Sequence, residues 1–145
     1  SYYHANAKRV YYLSMEFLMG RALHNALVSL ELLEPYRAAL ASLDRALELA
    51  PNDLQTRFLL GRQLAILGDS VEAISYLEPI AELDDPAVPS MLRVLAGAYG
   101  QAGDVQSARR SLETALEAAH RWDQAELARQ IERDLSRLAA LEPEG

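Results

Sequence analysis

Apolar residues recur every three to four positions along most of this chain, the spacing that places side chains on one face of an α-helix. The pattern is punctuated twice by a Gly-Asp dipeptide, at Gly68-Asp69 and at Gly103-Asp104. Glycine readily takes the left-handed conformation that ends a helix, and aspartate can cap the helix that follows. Each dipeptide therefore predicts a tight turn between two paired helices.

The two helix pairs carry matching residues at matching distances from their turns. The first helices share the order of a leucine, a small residue and a larger residue, and the second helices share a small alanine followed four positions later by a leucine. These sets are Leu60, Gly61, Leu64, Ala73, Leu77 and Ile80 in one pair, and Leu95, Ala96, Tyr99, Ala108, Leu112 and Ala115 in the other. The small residues mark places where helices approach closely, and the larger ones mark places where they interlock.

An earlier half-repeat ends in Pro51-Asn52-Asp53 and carries the same periodicity at Tyr36, Ala39, Leu43 and Ala46. Proline cannot continue the preceding helix, and Asn52 or Asp53 is predicted to cap the following one. This order of residues resembles the tetratricopeptide repeat family, with the two glycines 35 positions apart, about one more than the usual period.

The predicted fold is therefore all-α: a tetratricopeptide-like helical array of about three helix pairs plus a C-terminal capping helix. An apolar stripe marks that cap at Trp122, Ala125, Ala128, Ile131, Leu135 and Leu138, and its polar outer face would keep the array soluble. The predicted boundaries are an N-terminal segment 1–19, repeats 20–53, 54–88 and 89–122, a cap 123–141 and a tail 142–145.

The first 35 residues differ in composition from the rest, because they contain the single lysine and most of the tyrosine residues. The run from Lys8 to Leu23 contains YYLSMEF followed by Gly20-Arg21, and it closely resembles the N-terminal domain of α-glucan phosphorylases over about residues 1–36. In that family the YYLSMEF segment is a strand and a helix opens at the Gly-Arg pair. The lysine that holds pyridoxal phosphate lies in a distant domain of the family, and nothing in this chain matches its motif.

The composition break near Pro35 suggests the hypothesis of an engineered chimera.

The structure of residues 1–19 stays open between two alternatives. A lone strand would leave its backbone hydrogen-bonding groups unsatisfied. The segment either becomes helical and packs against the first repeat, which we favour, or pairs with a second copy in a homodimer.

The composition and the residue patterns of the chain argue against several classes of function. The chain has no cysteine and a formal net charge of -7, which argues against thiol chemistry and against nucleic acid as a partner. We predict no membrane span and a cytoplasmic location. The three histidines are widely spaced along the sequence, which argues against a metal site, and Asp84-Asp85 fits a helix stop and cap better than a carboxylate site. No catalytic residue, no metal and no cofactor is predicted, and the chain is not expected to be an enzyme.

The predicted function is that of a scaffold that binds a protein or peptide in its concave groove, or an artificial array with no evolved ligand. The predicted groove residues are Arg21, His24, Asn25, Gln55, Phe58, Arg62 and Arg93. Their arginines would attract an acidic peptide, with Phe58 as an apolar anchor. The alternative is a carbohydrate-binding or enzymatic relic of a glucan phosphorylase.

Overall fold

The computed structural model of the chain describes residues 33–142. The predictions for segment 1–19, for the first helix of repeat 20–53 and for a homodimer through the N-terminus therefore lie outside the described residues. Within residues 33–142 the chain forms helices and turns and no strand, which confirms the all-α prediction.

Six α-helices follow one another within residues 33–142, and a 3₁₀ turn extends the third of these. They are α1 (Leu33–Leu49), α2 (Leu54–Leu67), α3 (Ser70–Leu77) with the 3₁₀ turn Glu78–Glu82, α4 (Val88–Gln101), α5 (Val105–Arg121) and α6 (Ala125–Ala139). Each helix packs on the next one in sequence, and α2 also touches α4, as α4 touches α6. This alternation is the packing of stacked helix pairs, with α2, α4 and α6 forming one layer.

The residues that match between the two pairs form the core. Ala73 and Ala108 are at most 2% exposed, and Leu77 and Leu112 are at most 1% exposed. Gly61 lies so close to α3 that an added Cβ would stand 2.6 Å from the Leu77 Cγ atom. The interpretation of the small residues as points of close helix approach is confirmed.

The Gly-Asp turns have the geometry that the sequence predicts. Gly68 and Gly103 have φ angles of 90° and 83°, in the left-handed region that glycine accepts without strain. The backbone N–H of Asp69 donates to Leu64 at 2.9 Å, and that of Asp104 donates to Tyr99 at 2.9 Å. These bonds close a Schellman motif at both helix ends.

The helix caps differ between the two turns. Asp104 accepts from the Ser107 backbone N–H at 3.0 Å and from the Ser107 hydroxyl at 2.6 Å, whereas Asp69 caps α3 without a side-chain hydrogen bond. Asp53 caps α2 by accepting from the Gln55 backbone N–H, which confirms the predicted cap after Pro51.

This difference predicts unequal costs for the same substitution. Asp104→Ala is expected to lower the free energy of unfolding by about 1 kcal/mol, and Asp69→Ala by less than about 0.5 kcal/mol, because Asp69 makes only a 3.9 Å exposed ion pair with Arg37. Urea unfolding of both variants measures the contrast, and equal costs would contradict it.

The pH dependence of stability provides a second readout of the same cap. The hydrogen bonds from Ser107 lower the pKa of Asp104 from its ordinary value of 3.8. A carboxyl with a lowered pKa stabilises the fold above its unfolded pKa, and this contribution disappears as the pH falls through the folded pKa. The difference between wild type and Asp104→Ala should therefore shrink below about pH 3.8.

The last helix departs from the predicted stripe at its N-terminal end. Ala128, Ile131 and Leu138 are buried, but Trp122 is 38% exposed and Ala125 is exposed. The reason is that Trp122 belongs to the end of α5, and the turn at Asp123, with φ 54°, breaks the helical register before α6 begins.

The first residue of the predicted tail is held against α5. The Glu142 carboxylate accepts hydrogen bonds from Arg109 and from Gln106. Among the described helices none is long and apolar enough to cross a bilayer. The cytoplasmic location stays a prediction.

Candidate functional site

A polar cleft opens between the 3₁₀ turn Glu78–Glu82, helix α4 and helix α5. Its volume is about 540 Å³. Its floor is apolar, and its walls carry carboxylates, hydroxyl groups and one guanidinium. The lining residues are Glu78, Pro79, Ala81, Glu82, Leu92, Leu95, Tyr99, Ser107, Arg110, Ser111 and Thr114.

Pro79 explains why the third helix tightens where the cleft begins. Proline has no backbone N–H and disrupts a regular α-helix, and α3 passes into a 3₁₀ turn with Pro79 near its start. Ile80 stays buried at 1% exposure, while Glu78 and Glu82 are exposed. By the 35-residue offset, Pro79 corresponds to Thr114 in the uninterrupted helix α5.

Tyr99 links α4 to the 3₁₀ turn, which forms one wall of the cleft. Its hydroxyl donates a hydrogen bond to the Glu78 carboxylate. Partial burial, and then this bond to Glu78, raise the pKa of Tyr99 well above its ordinary value of 10.0. The phenol is therefore a neutral hydrogen-bonding group throughout the physiological pH range.

A chain of polar groups positions Arg110 on the opposite wall. The Arg110 Nη2 atom donates to the Ser107 hydroxyl at 2.8 Å, and that hydroxyl donates to Asp104 at 2.6 Å. The helix cap and the cleft thus share Ser107. The lining carries two negative charges, at Glu78 and Glu82, and one positive charge, at Arg110. This net negative charge repels a phosphate ligand.

None of the sequence-predicted groove residues within 33–142 lines this cleft. Arg21, His24 and Asn25 lie outside the described residues. Gln55 is exposed, and Phe58 is partly buried against the core. Arg62 is half-buried near Tyr36, on whose phenol its charge acts. The groove at these positions stays a prediction.

Arg93 is held by the cap helix. Its Nε and Nη2 atoms lie 2.8 and 2.6 Å from the Asp134 Oδ2 atom, and its Nη1 atom donates to Gln130 at 3.1 Å. Asp134 is 3% exposed. This arginine therefore joins α4 to α6, and its charge is already balanced within the protein.

The sequence interpretation missed the cleft because its residues come from three elements. Pro79 was the available signal, since a proline inside the second helix of a pair indicates a local distortion. No metal-binding group of three acidic or histidine side chains occurs in the part of the chain that the structure describes.

The chain is similar to glucan phosphorylases. It is 36% identical to the alpha-1,4 glucan phosphorylase L isozyme of Vicia faba over 118 residues, which cover 81% of this chain and 11% of that relative. It is 36% identical to the glycogen phosphorylase of Chlamydia trachomatis over 105 residues, 70% of this chain and 12% of that relative. A segment of 28 residues is 68% identical to the glycogen phosphorylase of Saccharomyces cerevisiae.

These matches support the phosphorylase resemblance and extend it. A match of 118 residues cannot fit within residues 1–36, so the similarity continues beyond the segment that carries YYLSMEF. The hypothesis of a chimera joined near Pro35 is not confirmed. The chain spans only 11 to 12% of the length of these relatives. No protein-family model matches the chain, and membership of the tetratricopeptide family stays a prediction.

Proposed function

We propose that this chain is a glucan-binding helical module that does not itself catalyse phosphorolysis, with the cleft between the 3₁₀ turn and α5 as its binding site. The observation that carries the proposal is the composition of that cleft: an apolar floor beneath carboxylates, hydroxyl groups and one guanidinium. One of the similar proteins is an alpha-1,4 glucan phosphorylase, and this similarity indicates an α-1,4-linked glucan as the class of ligand.

The cleft chemistry suits a neutral sugar. A glucose ring presents hydroxyl groups at its edge, which need both donors and acceptors, and C–H groups on its faces, which prefer apolar surface. Glu78 and Glu82 supply acceptors and Arg110 supplies donors. The hydroxyl of Tyr99, which donates its proton to Glu78, can accept a further hydrogen bond. Pro79, which is exposed, and Ala81, which is half-buried, supply the accessible apolar surface, and Leu92 and Leu95 lie buried at the base of the cleft.

We expect the chain to bind glucans without catalysing their phosphorolysis. The chain corresponds to a small part of the phosphorylases, and catalysis depends on groups held in fixed positions around the substrate. The excess negative charge of the cleft would also weaken the binding of phosphate and of sugar phosphates. We expect no phosphorolysis of maltoheptaose, and measurable phosphorolysis by the purified chain would contradict this.

Tyr99→Phe is the sharpest test of the site. Removing this hydroxyl takes away a cleft hydrogen-bonding group, and we expect the Kd for maltoheptaose to rise about three- to tenfold. Isothermal titration calorimetry measures the change, with glucose 1-phosphate as a competitor that should bind more weakly than the neutral oligosaccharide.

Tyr76→Phe is the matched control. Tyr76 lies outside the cleft, and its hydroxyl donates to Asp44 at 2.6 Å. That bond is the main reason why the pKa of Tyr76 rises to about 12. Tyr76→Phe therefore loses the same kind of phenol–carboxylate bond and should leave the Kd unchanged. Absence of maltoheptaose binding to the wild-type chain, or equal effects of the two variants, would overturn the cleft proposal.

The scaffold function stays a second candidate, because stacked helix pairs are an architecture that presents a peptide-binding face. Its partner, an acidic protein or peptide, stays a prediction. Failure of maltoheptaose to bind, combined with binding of an acidic peptide that Arg62→Glu abolishes, would favour this candidate over the glucan.

A further inference from the structure

The single tryptophan of the chain lies on the surface rather than in the core. Trp122 is 38% exposed although it follows directly on α5, and it sits in a turn with a fixed backbone. The turn's N–H groups donate to α5 carbonyls, from Trp122 at 3.0 Å, from Asp123 at 3.2 Å and from Gln124 at 2.8 Å. An exposed aromatic side chain on a well-fixed backbone is a suitable surface for stacking a ligand.

The loop after the 3₁₀ turn is held beside this tryptophan. The Gln124 Nε2 atom donates to the Pro86 carbonyl at 2.7 Å, and Arg121 forms a 3.2 Å ion pair with Asp84. Leu83, which precedes Asp84, is 46% exposed. Two exposed apolar side chains therefore occur on the two segments that meet at this end of α5.

Both walls of the cleft, the segment that begins with the 3₁₀ turn and helix α5, extend to the C-terminal end of α5. Glu82 lines the cleft and is followed by Leu83, while Thr114 lines the cleft and α5 runs on to Arg121. At 1.5 Å per residue, Trp122 lies roughly 12 Å along the helix from Thr114. The segment 78–84 thus follows α5 from the cleft to the tryptophan.

We infer that Trp122 and Leu83 form an outer subsite that stacks on a further sugar ring of a glucan whose inner rings occupy the cleft. This inference rests on the proposed function. A short oligosaccharide would fill the cleft alone, and a longer one would reach the tryptophan. The protein therefore selects longer α-1,4-glucans.

The test compares maltose with maltoheptaose by calorimetry and by the intrinsic fluorescence of Trp122. In the wild type, maltoheptaose should bind more tightly than maltose and should shift the emission, whereas maltose should not. Trp122→Ala should weaken maltoheptaose binding about three- to tenfold and leave maltose binding unchanged. Trp122→Phe keeps an aromatic ring and should retain most of the preference for the longer chain.

Val71→Ala is the matched control, because Val71 is also a large exposed apolar residue, at 79%, and it does not line the cleft. The outcomes separate the two proposals. Equal binding of the two sugars, or an unchanged preference in Trp122→Ala, overturns the outer subsite and leaves the cleft standing. No binding of either sugar overturns the cleft, and the outer subsite with it.

Discussion

Replacing Arg93 with methionine is expected to lower the free energy of unfolding by roughly 3 kcal/mol, the lower end of the range for breaking a buried ion pair. The loss is large because it leaves the Asp134 carboxylate, with 4% of its side chain exposed, without its main counter-charge. It is not larger because 26% of the Arg93 side chain is exposed, so the pair is only partly removed from water. Chemical denaturation monitored by circular dichroism measures the change.

Two further variants test the cause of this loss. Arg93→Met combined with Asp134→Leu removes both charges, and it should recover much of the stability because the buried carboxylate is removed together with its main counter-charge. Arg129→Met removes an arginine whose 2.7 Å ion pair with Glu126 is exposed on both sides, and it should cost far less than Arg93→Met because water screens an exposed ion pair. If Arg93→Met and Arg129→Met cost the same, the pair between α4 and α6 is not a major contributor to stability.

The second large effect is expected at Gly61. An added Cβ would lie 2.6 Å from the Leu77 Cγ atom and 3.3 Å from the Ala73 carbonyl oxygen, and Leu77 is 1% exposed with little room to move. Gly61→Val should therefore cost about 3 kcal/mol, the upper end of the range for overpacking. The gain in helix propensity, up to about 1 kcal/mol, offsets only part of this cost.

A graded series makes the test at Gly61 sharper. Gly61→Ala should lie between wild type and Gly61→Val in thermal unfolding. Gly103→Ala provides the contrast, since an added Cβ there would meet nothing within 4 Å and the cost arises only from its φ of +83°. A Gly61→Val protein as stable as wild type would mean that α2 and α3 are packed less closely than the structure has them.

The helix pairs and their turns could be predicted from the sequence because their determinants are local. Gly68 and Gly103 mark the ends of α2 and α4 by backbone conformation alone. Ala73 and Ala108 mark close helix contacts because small residues recur there at helical spacing. The motif that resembles phosphorylases was also local, and comparison with the phosphorylases extended the similarity over most of the chain.

The candidate site could not be predicted in the same way, since it depends on contacts between distant positions. Asp134 reads as one more polar residue of an amphipathic helix, and only the packing of α6 on α4 brings it to Arg93, 41 positions away. The bond from Tyr99 to Glu78 likewise spans 21 positions. The exposure of Trp122 follows from a backbone angle at Asp123 that helical periodicity does not reveal.

The ion pair between α4 and α6 also bears on how cooperatively the array opens. In a linear stack each unit is stabilised mainly by its neighbours, so the terminal helices can unfold locally at a lower free energy than the whole. Arg93 and Asp134 join two helices across the intervening α5, which makes the detachment of α6 dependent on breaking a buried charge contact. We therefore expect the three helices from α4 to α6 to unfold as one cooperative unit, together with the wall of the cleft that α5 forms.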